Sequence, residues 1–142
     1  MLPWIDFPED YETASSYSTA WYAGHDGDWS VLVNDLRSSY PDNEFISLPY
    51  GQSALELRTR LEQDQLPDVD TMISDLEDNN TENDVGIFVD KKGHADEILV
   101  DLGTLVWGKV LYDIEPDASY VQGSYETDIA QIATDIVQEH AE

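Results

Sequence analysis

Thirty-one acidic residues against six basic ones give this 142-residue chain a net charge of −25, and it contains no cysteine. A surface of that charge repels nucleic acid and anionic lipid, which argues against direct binding to either, and the lack of cysteine excludes disulfides, zinc–thiolate sites and thiol nucleophiles. Hydrophobic residues at 41% and aromatic residues at 11% predict a folded core, and the length predicts one domain over residues 1–142.

The start of the chain, MLPWIDFPEDYE, has neither the basic segment nor the apolar core of a signal peptide. No run in the sequence approaches the roughly 20 apolar residues that a membrane span needs. We therefore expect a soluble protein of the cytoplasm, or of the host cytoplasm if the protein is viral. Residues 1–8, with two prolines around Trp4, Ile5 and Phe7, predict an extended N-terminal arm.

The next stretch of the chain carries helical periodicity with one strand. A run rich in Ser, Ala and Tyr predicts a helix over residues 9–22. Asp28 is a candidate N-cap for a second helix over residues 29–39. The segment NEFISLP predicts a short strand over residues 44–48, closed by proline and glycine.

A third helix is predicted over residues 54–63. Ser53 followed by Glu56 is a capping-box pattern, and the periodicity turns Leu57 inward and Arg58 outward. After a proline, a further short helix is expected to begin at Asp68 or Asp70 and to end near Glu77. Its buried side would consist of Val69, Met72, Ile73 and Leu76.

Strand patterns dominate the sequence from residue 85 onward. VGIFVD at 85–90 and DEILVDLG at 96–103, joined by a turn containing Gly93, predict an antiparallel hairpin. LVWGKVLYDI at 105–114 predicts a third strand, and residues 119–122 a short fourth. The expected fold class is α+β, a single domain with an antiparallel three- to five-stranded meander packed against helices and with a C-terminal amphipathic helix.

That last helix is predicted from about Tyr125 to His140. Its apolar stripe is formed by Ile129, Ile132, Ala133, Ile136 and Val137. At 100° per residue, four carboxylates fall within about 60° of one another beside this stripe and span about 21 Å. The mean spacing of about 7 Å is comparable to that of successive phosphates on one DNA strand. These four residues are Asp128, Asp135, Glu139 and Glu142.

The segment from Leu61 to Asp90 holds ten carboxylates and no Lys or Arg. Its apolar residues make it part of the folded body, so its acids are expected to form a fixed face. We predict that a partner binds there and on the last helix. The predicted partner-binding residues are Glu62, Asp64, Asp68, Asp70, Asp75, Glu77, Asp78, Glu82, Asp84, Asp128, Asp135 and Glu139.

Metal binding is the first alternative for so many carboxylates. An EF-hand loop starting at Asp78 has Asn83 where the motif needs Gly and Val89 where it needs Glu, so the pattern fails at its two strictest positions. The Asp-x-Asp pairs 26/28 and 68/70 lack an accompanying glycine-rich phosphate loop, and helix capping explains them better. We expect no metal and no cofactor.

Catalysis finds little support in the residue pattern. The three histidines, His25, His94 and His140, show no metal-ligand spacing and no Ser/His/Asp arrangement. The nearest candidate is His25 with its neighbours Asp26 and Asp28, which also fits an ordinary surface loop. Base stacking by the aromatic residues would need a basic groove, which six basic residues do not make. We therefore expect a protein that is not an enzyme.

The charge pattern favours a DNA mimic. A cleft that binds the phosphates of DNA through its positive charge attracts an array of carboxylates in the same way. In size, charge and aromatic content the chain resembles small phage-encoded antirestriction or anti-CRISPR proteins, and the resemblance is one of composition alone. The expected partner is a basic nucleic-acid-binding protein, such as a nuclease or a defence complex.

Two other functions stay open at this point. One is haloadaptation of a soluble protein with an unrelated function. The other is an immunity protein or antitoxin that neutralises a cationic nuclease through a compact acidic patch. A homodimer that doubles the charged stripe is also open.

Overall fold

The computed structural model describes residues 11–74 and 84–140. In these ranges the α-helices are α1 (Ala14–Gly24), α2 (Ser30–Ser39), α3 (Tyr50–Glu62), α4 (Glu97–Tyr112) and α5 (Ile129–His140). A π-helical turn, His25–Trp29, joins α1 to α2, and a 3₁₀ turn covers Ala118–Tyr120. The two strands are β1 (Thr71–Ile73) and β2 (Gly86–Phe88).

Helix α4 is the centre of the core. Its buried apolar residues are Ile98, Leu99, Leu102, Leu105 and Val106, a spacing that places them on one side of a helix. This side packs against α3 and α5, and β2 lies beside the helix N-terminus. Asp96 caps that end by accepting a hydrogen bond from the Glu97 backbone N–H at 2.8 Å.

The predicted antiparallel meander is therefore wrong. Residues 96–103 and 105–114, expected to form strands, belong mainly to α4, and residues 119–122 coincide with a 3₁₀ turn. The run from 97 to 112 is rich in β-branched and aromatic residues, which favour strands locally. Its 16 residues exceed the usual strand length, and burial against two helices selects the 3.6-residue repeat. The described fold is mostly helical.

The sheet consists of two parallel strands. Thr71 pairs with Gly86 and Ile73 with Phe88. The strand at 85–90 is thus confirmed in position, and Gly93 does adopt a positive φ of 83° in the following turn. However, that turn leads into α4 and not into a second hairpin strand.

The helix expected from Asp68 or Asp70 to Glu77 is also wrong where the structure describes it. Val69 is buried as predicted, but residues 71–73 form β1. Pairing with β2 gives these backbone groups partners outside their own segment, which overrides a helical periodicity of only a few residues. The later part of that prediction, residues 75–77, and the loop at 78–83 lie outside the described residues, as does the arm at 1–8.

Helices α1 and α2 confirm two of the predicted helices with shifted ends. Thr13 and Ser16 form a capping box at the start of α1, where Thr13 Oγ1 accepts from the Ser16 N–H at 3.0 Å. Asp28 is not an N-cap, since it lies inside the π-helical turn that continues α1 into α2. The strand predicted at 44–48 is absent: these residues, which the structure describes in full, form neither a strand nor a helix.

Helix α3 begins four residues earlier than predicted, at Tyr50. Ser53 is therefore a fully buried interior residue and not a cap. Arg58 was expected to face outward but is only 5% exposed. Its guanidinium lies 4.7 Å above the centroid of the Tyr17 ring and donates a hydrogen bond to the Tyr11 carbonyl, which compensates for burying the charge.

Helix α5 confirms the last predicted element, although it begins at Ile129 instead of Tyr125. Ile129, Ile132, Ala133 and Ile136 are buried and Val137 is half-buried, as the stripe predicted. No helix in residues 11–74 and 84–140 has the length and apolar character needed to cross a membrane.

Candidate partner-binding surface

Helix α5 displays the first group of predicted partner-binding carboxylates. Asp128, Asp135 and Glu139 are all exposed, beside the buried isoleucines. The Asp128 carboxylate accepts from the Gln131 backbone N–H at 2.9 Å and so caps the helix. From Asp128 to Glu139 the edge extends about 16 Å at 1.5 Å per residue. We call these three residues the α5 edge.

In the segment after α3, the acids have structural roles that the sequence did not suggest. Glu62 Oε1 accepts from the Ala14 backbone N–H at 2.7 Å, at the N-terminus of α1. Asp70 Oδ2 accepts from the Val85 N–H at 3.2 Å, beside the sheet. Asp64 occupies a turn with a φ of 56° after the last residue of α3, a conformation that Asp tolerates better than most residues.

Asp68 is the most strongly engaged of these acids. Its two carboxylate oxygens accept from the backbone N–H groups of Glu126 at 2.7 Å and Thr127 at 2.9 Å. Partial burial opposes ionisation, but the adjacent Thr127 side chain and these two N–H groups lower the pKa of Asp68 below its ordinary value. Asp68 therefore ties the segment before β1 to the start of α5.

The other predicted residues are Asp84 and four acids that the structure does not describe. Asp84 is half-exposed just before β2. Asp75, Glu77, Asp78 and Glu82 lie outside the described residues. Within the described ranges, the α5 edge is therefore the group of predicted partner-binding residues that is exposed along a single helix and its N-terminal end.

Most of the basic side chains contact polar groups of their own chain. Four of the six basic side chains make polar contacts with their own chain: Arg37 Nη2 with the Phe45 carbonyl at 3.0 Å, Arg58 with Tyr11, Arg60 Nε with Glu56 at 2.7 Å, and Lys109 Nζ with Asp113 at 2.8 Å and Glu115 at 2.6 Å. By contrast, 17 of the 23 acidic residues in the described ranges are exposed. In the described part of the chain, exposed negative charge therefore greatly exceeds exposed positive charge.

A cavity of about 320 Å³ opens between α1, α3 and α5, next to the α5 edge. Asp135 and Glu139 belong to its lining together with Tyr22 of α1 and Gln52 of α3. Burial raises the pKa of Tyr22, and the negative charges of Asp26 and Glu139 raise it further. We call this space the α1–α3–α5 cavity.

Sequence reasoning missed Gln52. It is only 5% exposed, and its buried Oε1 atom has no hydrogen-bond partner in residues 11–74 and 84–140. A buried acceptor without a donor is costly and uncommon in folded proteins. The sequence did contain a signal, because Pro49 is suited to the start of a helix, and a helix from Tyr50 turns Gln52 toward the same side as Leu55.

The candidate catalytic residues do not form a catalytic arrangement in the described part of the chain. His25 Nδ1 lies 3.0 Å from Asp26 Oδ1, and the imidazole stacks on Trp21 with 4.6 Å between ring centroids. His94 pairs with Asp90 at 2.6 Å in the turn before α4, and the hydrogen bond from the His94 side chain lowers the pKa of Asp90. No group of three or more His, Asp or Glu side chains in residues 11–74 and 84–140 is arranged to hold a metal ion.

One buried carboxylate serves the fold. Asp101 of α4 accepts from the Tyr125 hydroxyl at 2.8 Å and from the Gly123 N–H at 2.9 Å. Burial and this hydrogen bond raise the pKa of Tyr125. Both partners lie in the segment that leads into α5, so Asp101 and Asp68 fix this segment from two sides.

Comparison with known proteins identifies no relative: no protein-family model, no curated protein and no solved structure matches the chain.

Proposed function

We propose that this chain is a non-enzymatic, DNA-mimic inhibitor that binds the nucleic-acid cleft of a basic DNA- or RNA-binding protein. The observation that carries the proposal is the imbalance of exposed charge. Most described acids are exposed, whereas four of six basic side chains are engaged within the molecule. A nuclease, a restriction enzyme or a CRISPR complex in the cytoplasm of a phage-infected host is the kind of target that such a surface suits.

The α5 edge supports a mimic over a diffuse acidic coat. A rigid helix holds its three carboxylates, and the buried isoleucines of the same helix fix their direction. Pre-positioned charges avoid the ordering cost that flexible acidic tails carry on binding. Basic side chains that contact successive phosphates would be attracted to this row of exposed carboxylates by charge complementarity.

The proposal is tested by immobilising the chain and capturing proteins from a bacterial lysate at 50 mM NaCl. We expect a nucleic-acid-binding protein to be captured and to be eluted by duplex DNA. We expect an uncharged polymer at the same mass concentration to leave it bound. Capture of no such protein, or elution that ignores duplex DNA, would contradict the proposal.

A charge-matched pair of variants locates the binding surface. The triple variant Asp128→Asn, Asp135→Asn and Glu139→Gln removes the α5 edge, and Asn at 128 keeps a good N-cap. The control Asp35→Asn, Asp42→Asn and Glu44→Gln removes the same charge from exposed positions on and after α2. We expect the first variant to lose affinity about 100-fold and the control less than about fivefold, because each lost contact weakens the electrostatic attraction locally.

A further inference from the structure

The α1–α3–α5 cavity is lined by a buried hydrogen-bond acceptor that lacks a donor among the described residues. Gln52 is more than nine-tenths buried and lines this cavity, and its Oε1 atom has no hydrogen-bond partner among the described residues. Leaving an amide oxygen unpaired in a protein interior costs about 1–3 kcal/mol. A ligand that carries an N–H or O–H group into the cavity would remove that cost.

The charge around the cavity selects a cation. Three carboxylates line it, Glu56, Asp135 and Glu139. Glu56 is already paired with Arg60 at 2.7 Å. Asp135 accepts one hydrogen bond, from Gln131 Nε2 at 2.7 Å, and a carboxylate offers about four acceptor sites. Glu139 lies 3.6 Å from His140 Nε2, which leaves it able to accept a shorter, charge-assisted bond.

The shape and chemistry favour a guanidinium over an ammonium ion or a metal. A guanidinium has five N–H donors in one plane, enough for Gln52 and for two carboxylates at once, and its face stacks on aromatic rings such as that of Tyr22. An ammonium group is a point donor with three N–H bonds. Within the described residues no group of ligands suits a metal, and a volume of about 320 Å³ lies at the small end of ligand sites.

The neighbouring cavity shows the contrast. It shares Tyr22, Gln52, Glu139 and His140 with the first cavity, and its lining adds the carboxylate of Asp26 and the guanidinium of Arg37. A fixed guanidinium in its wall disfavours a second cation there. The attraction for a positive side chain is therefore concentrated on the side of Asp135.

We infer that the α1–α3–α5 cavity receives the guanidinium of an arginine side chain presented by the protein partner. Gln52 Oε1 accepts one N–H, Asp135 and Glu139 accept others, and Tyr22 contacts the side chain. This inference rests on the proposed function, because it assigns an anchor position to the basic partner. The exposed carboxylates of the α5 edge attract any basic protein, whereas this pocket beside them would select a partner that presents an arginine.

A titration followed by ¹H–¹⁵N NMR tests the site without the partner. The probe is N-acetyl-arginine-methylamide, with the citrulline analogue as its neutral isostere and the lysine analogue as the alternative cation. We expect saturable shifts of the Gln52 side-chain amide and of α5 residues 135–140 in the low millimolar range, about tenfold weaker binding of the lysine analogue, and none of the citrulline analogue. Equal binding of all three probes, or shifts confined to other surfaces, would overturn the inference.

Two variants separate recognition from folding. Gln52→Leu removes the acceptor and keeps the volume, so we expect about tenfold weaker probe binding with an unchanged or higher unfolding temperature. Glu139→Gln changes only an exposed side chain at the mouth and should also weaken binding about tenfold. Asp35→Asn, at an exposed position of α2 that lines neither cavity, should leave the probe affinity within twofold. Loss of affinity in the Asp35 variant equal to that in Glu139→Gln would contradict a local site.

The source of the guanidinium is decided by one further comparison. Free L-arginine carries a carboxylate that the acidic surface repels, so we expect it to bind more weakly than the blocked probe. Tighter binding of free arginine would identify a metabolite site and overturn the assignment to a protein partner. If the blocked probe binds but no captured protein competes with DNA, the proposed function fails and the site stands. If a captured protein competes but the probe does not bind, the site alone fails.

Discussion

At the scale of single residues, the carboxylates discussed above form two groups, one that stabilises the fold and one that is exposed for binding. Asp68 and Asp101 accept hydrogen bonds from the segment before α5 and so hold the last helix in place. Asp128, Asp135 and Glu139 lie exposed on the resulting surface. Because the first group fixes the orientation of the second, a substitution in either group should affect binding. Substitutions in the first group should also affect stability, whereas in the second group only Asp128, which caps α5, should do so.

We expect Asp68→Ala to lower the free energy of unfolding by about 2 kcal/mol, since two hydrogen bonds to a charged group are lost. Asp35→Ala, an exposed position on α2, is the control for the loss of one negative charge and should change stability by less than about 0.5 kcal/mol. Urea unfolding of both variants measures the difference. Equal stabilities would show that Asp68 does not hold the start of α5.

The pH dependence of the Asp68 contribution has a defined sign. Its pKa is lowered in the folded protein, so its stabilisation is fully present above the ordinary carboxyl pKa of about 3.9 and is lost as the pH falls through the lower folded-state value. We expect the difference in unfolding free energy between wild type and Asp68→Ala to be constant from pH 7 to 5 and to shrink below pH 4. A difference that grows on acidification would contradict this assignment.

At the scale of elements, a helix with one clear apolar stripe, such as α5, could be predicted from the sequence. A helix whose residues also favour strands, such as α4, could not. The α5 stripe is visible in the sequence because one repeat of 3.6 residues is separated cleanly from the carboxylates. Helix α4 is apolar on several sides and contains Gly103, against which the Tyr50 ring packs closely. Its β-branched and aromatic residues favour strands locally, which is why the sequence predicted two strands there. The site was half predictable for the same reason: Asp135 and Glu139 follow from the α5 pattern, whereas Gln52 depends on where α3 begins.

A pair of glycine variants tests these helices. A Cβ at Gly51 of α3 would lie 2.5 Å from the Trp21 ring, whereas a Cβ at Gly108 of α4 would meet nothing within 4 Å. We expect Gly51→Ala to destabilise the protein by about 1–3 kcal/mol through overpacking, and Gly108→Ala to stabilise it by about 0.5–1 kcal/mol through reduced backbone freedom. Chemical denaturation measures both. Destabilisation by Gly108→Ala would contradict a helix at this position.

At the scale of the whole molecule, the charge of −25 acts against folding as well as for binding. Self-repulsion between exposed carboxylates destabilises the compact state, and salt screens it over about 10 Å at 0.1 M. The apolar core around α4 and the engaged basic residues oppose this repulsion. A haloadapted protein and a DNA mimic are both destabilised by this repulsion, but they differ in the salt concentration at which the folded state becomes stable.

We expect the unfolding temperature to rise between 10 and 150 mM NaCl and to change little from there to 1 M, because screening at short range is then nearly complete. The protein should be fully folded in dilute buffer. Circular dichroism during heating at each salt concentration measures this. A chain that folds only in molar KCl would favour haloadaptation over mimicry.

The most direct test of the central claim is a competition binding measurement on the captured partner. The affinity of the chain for that protein is measured at 50 and 200 mM NaCl, with and without a 30-base-pair DNA duplex. We expect the affinity to fall at least about 100-fold over this salt range, and the duplex to displace the chain in proportion to its own affinity. An affinity that stays within twofold across the salt range and ignores the duplex would contradict a DNA-like binding surface.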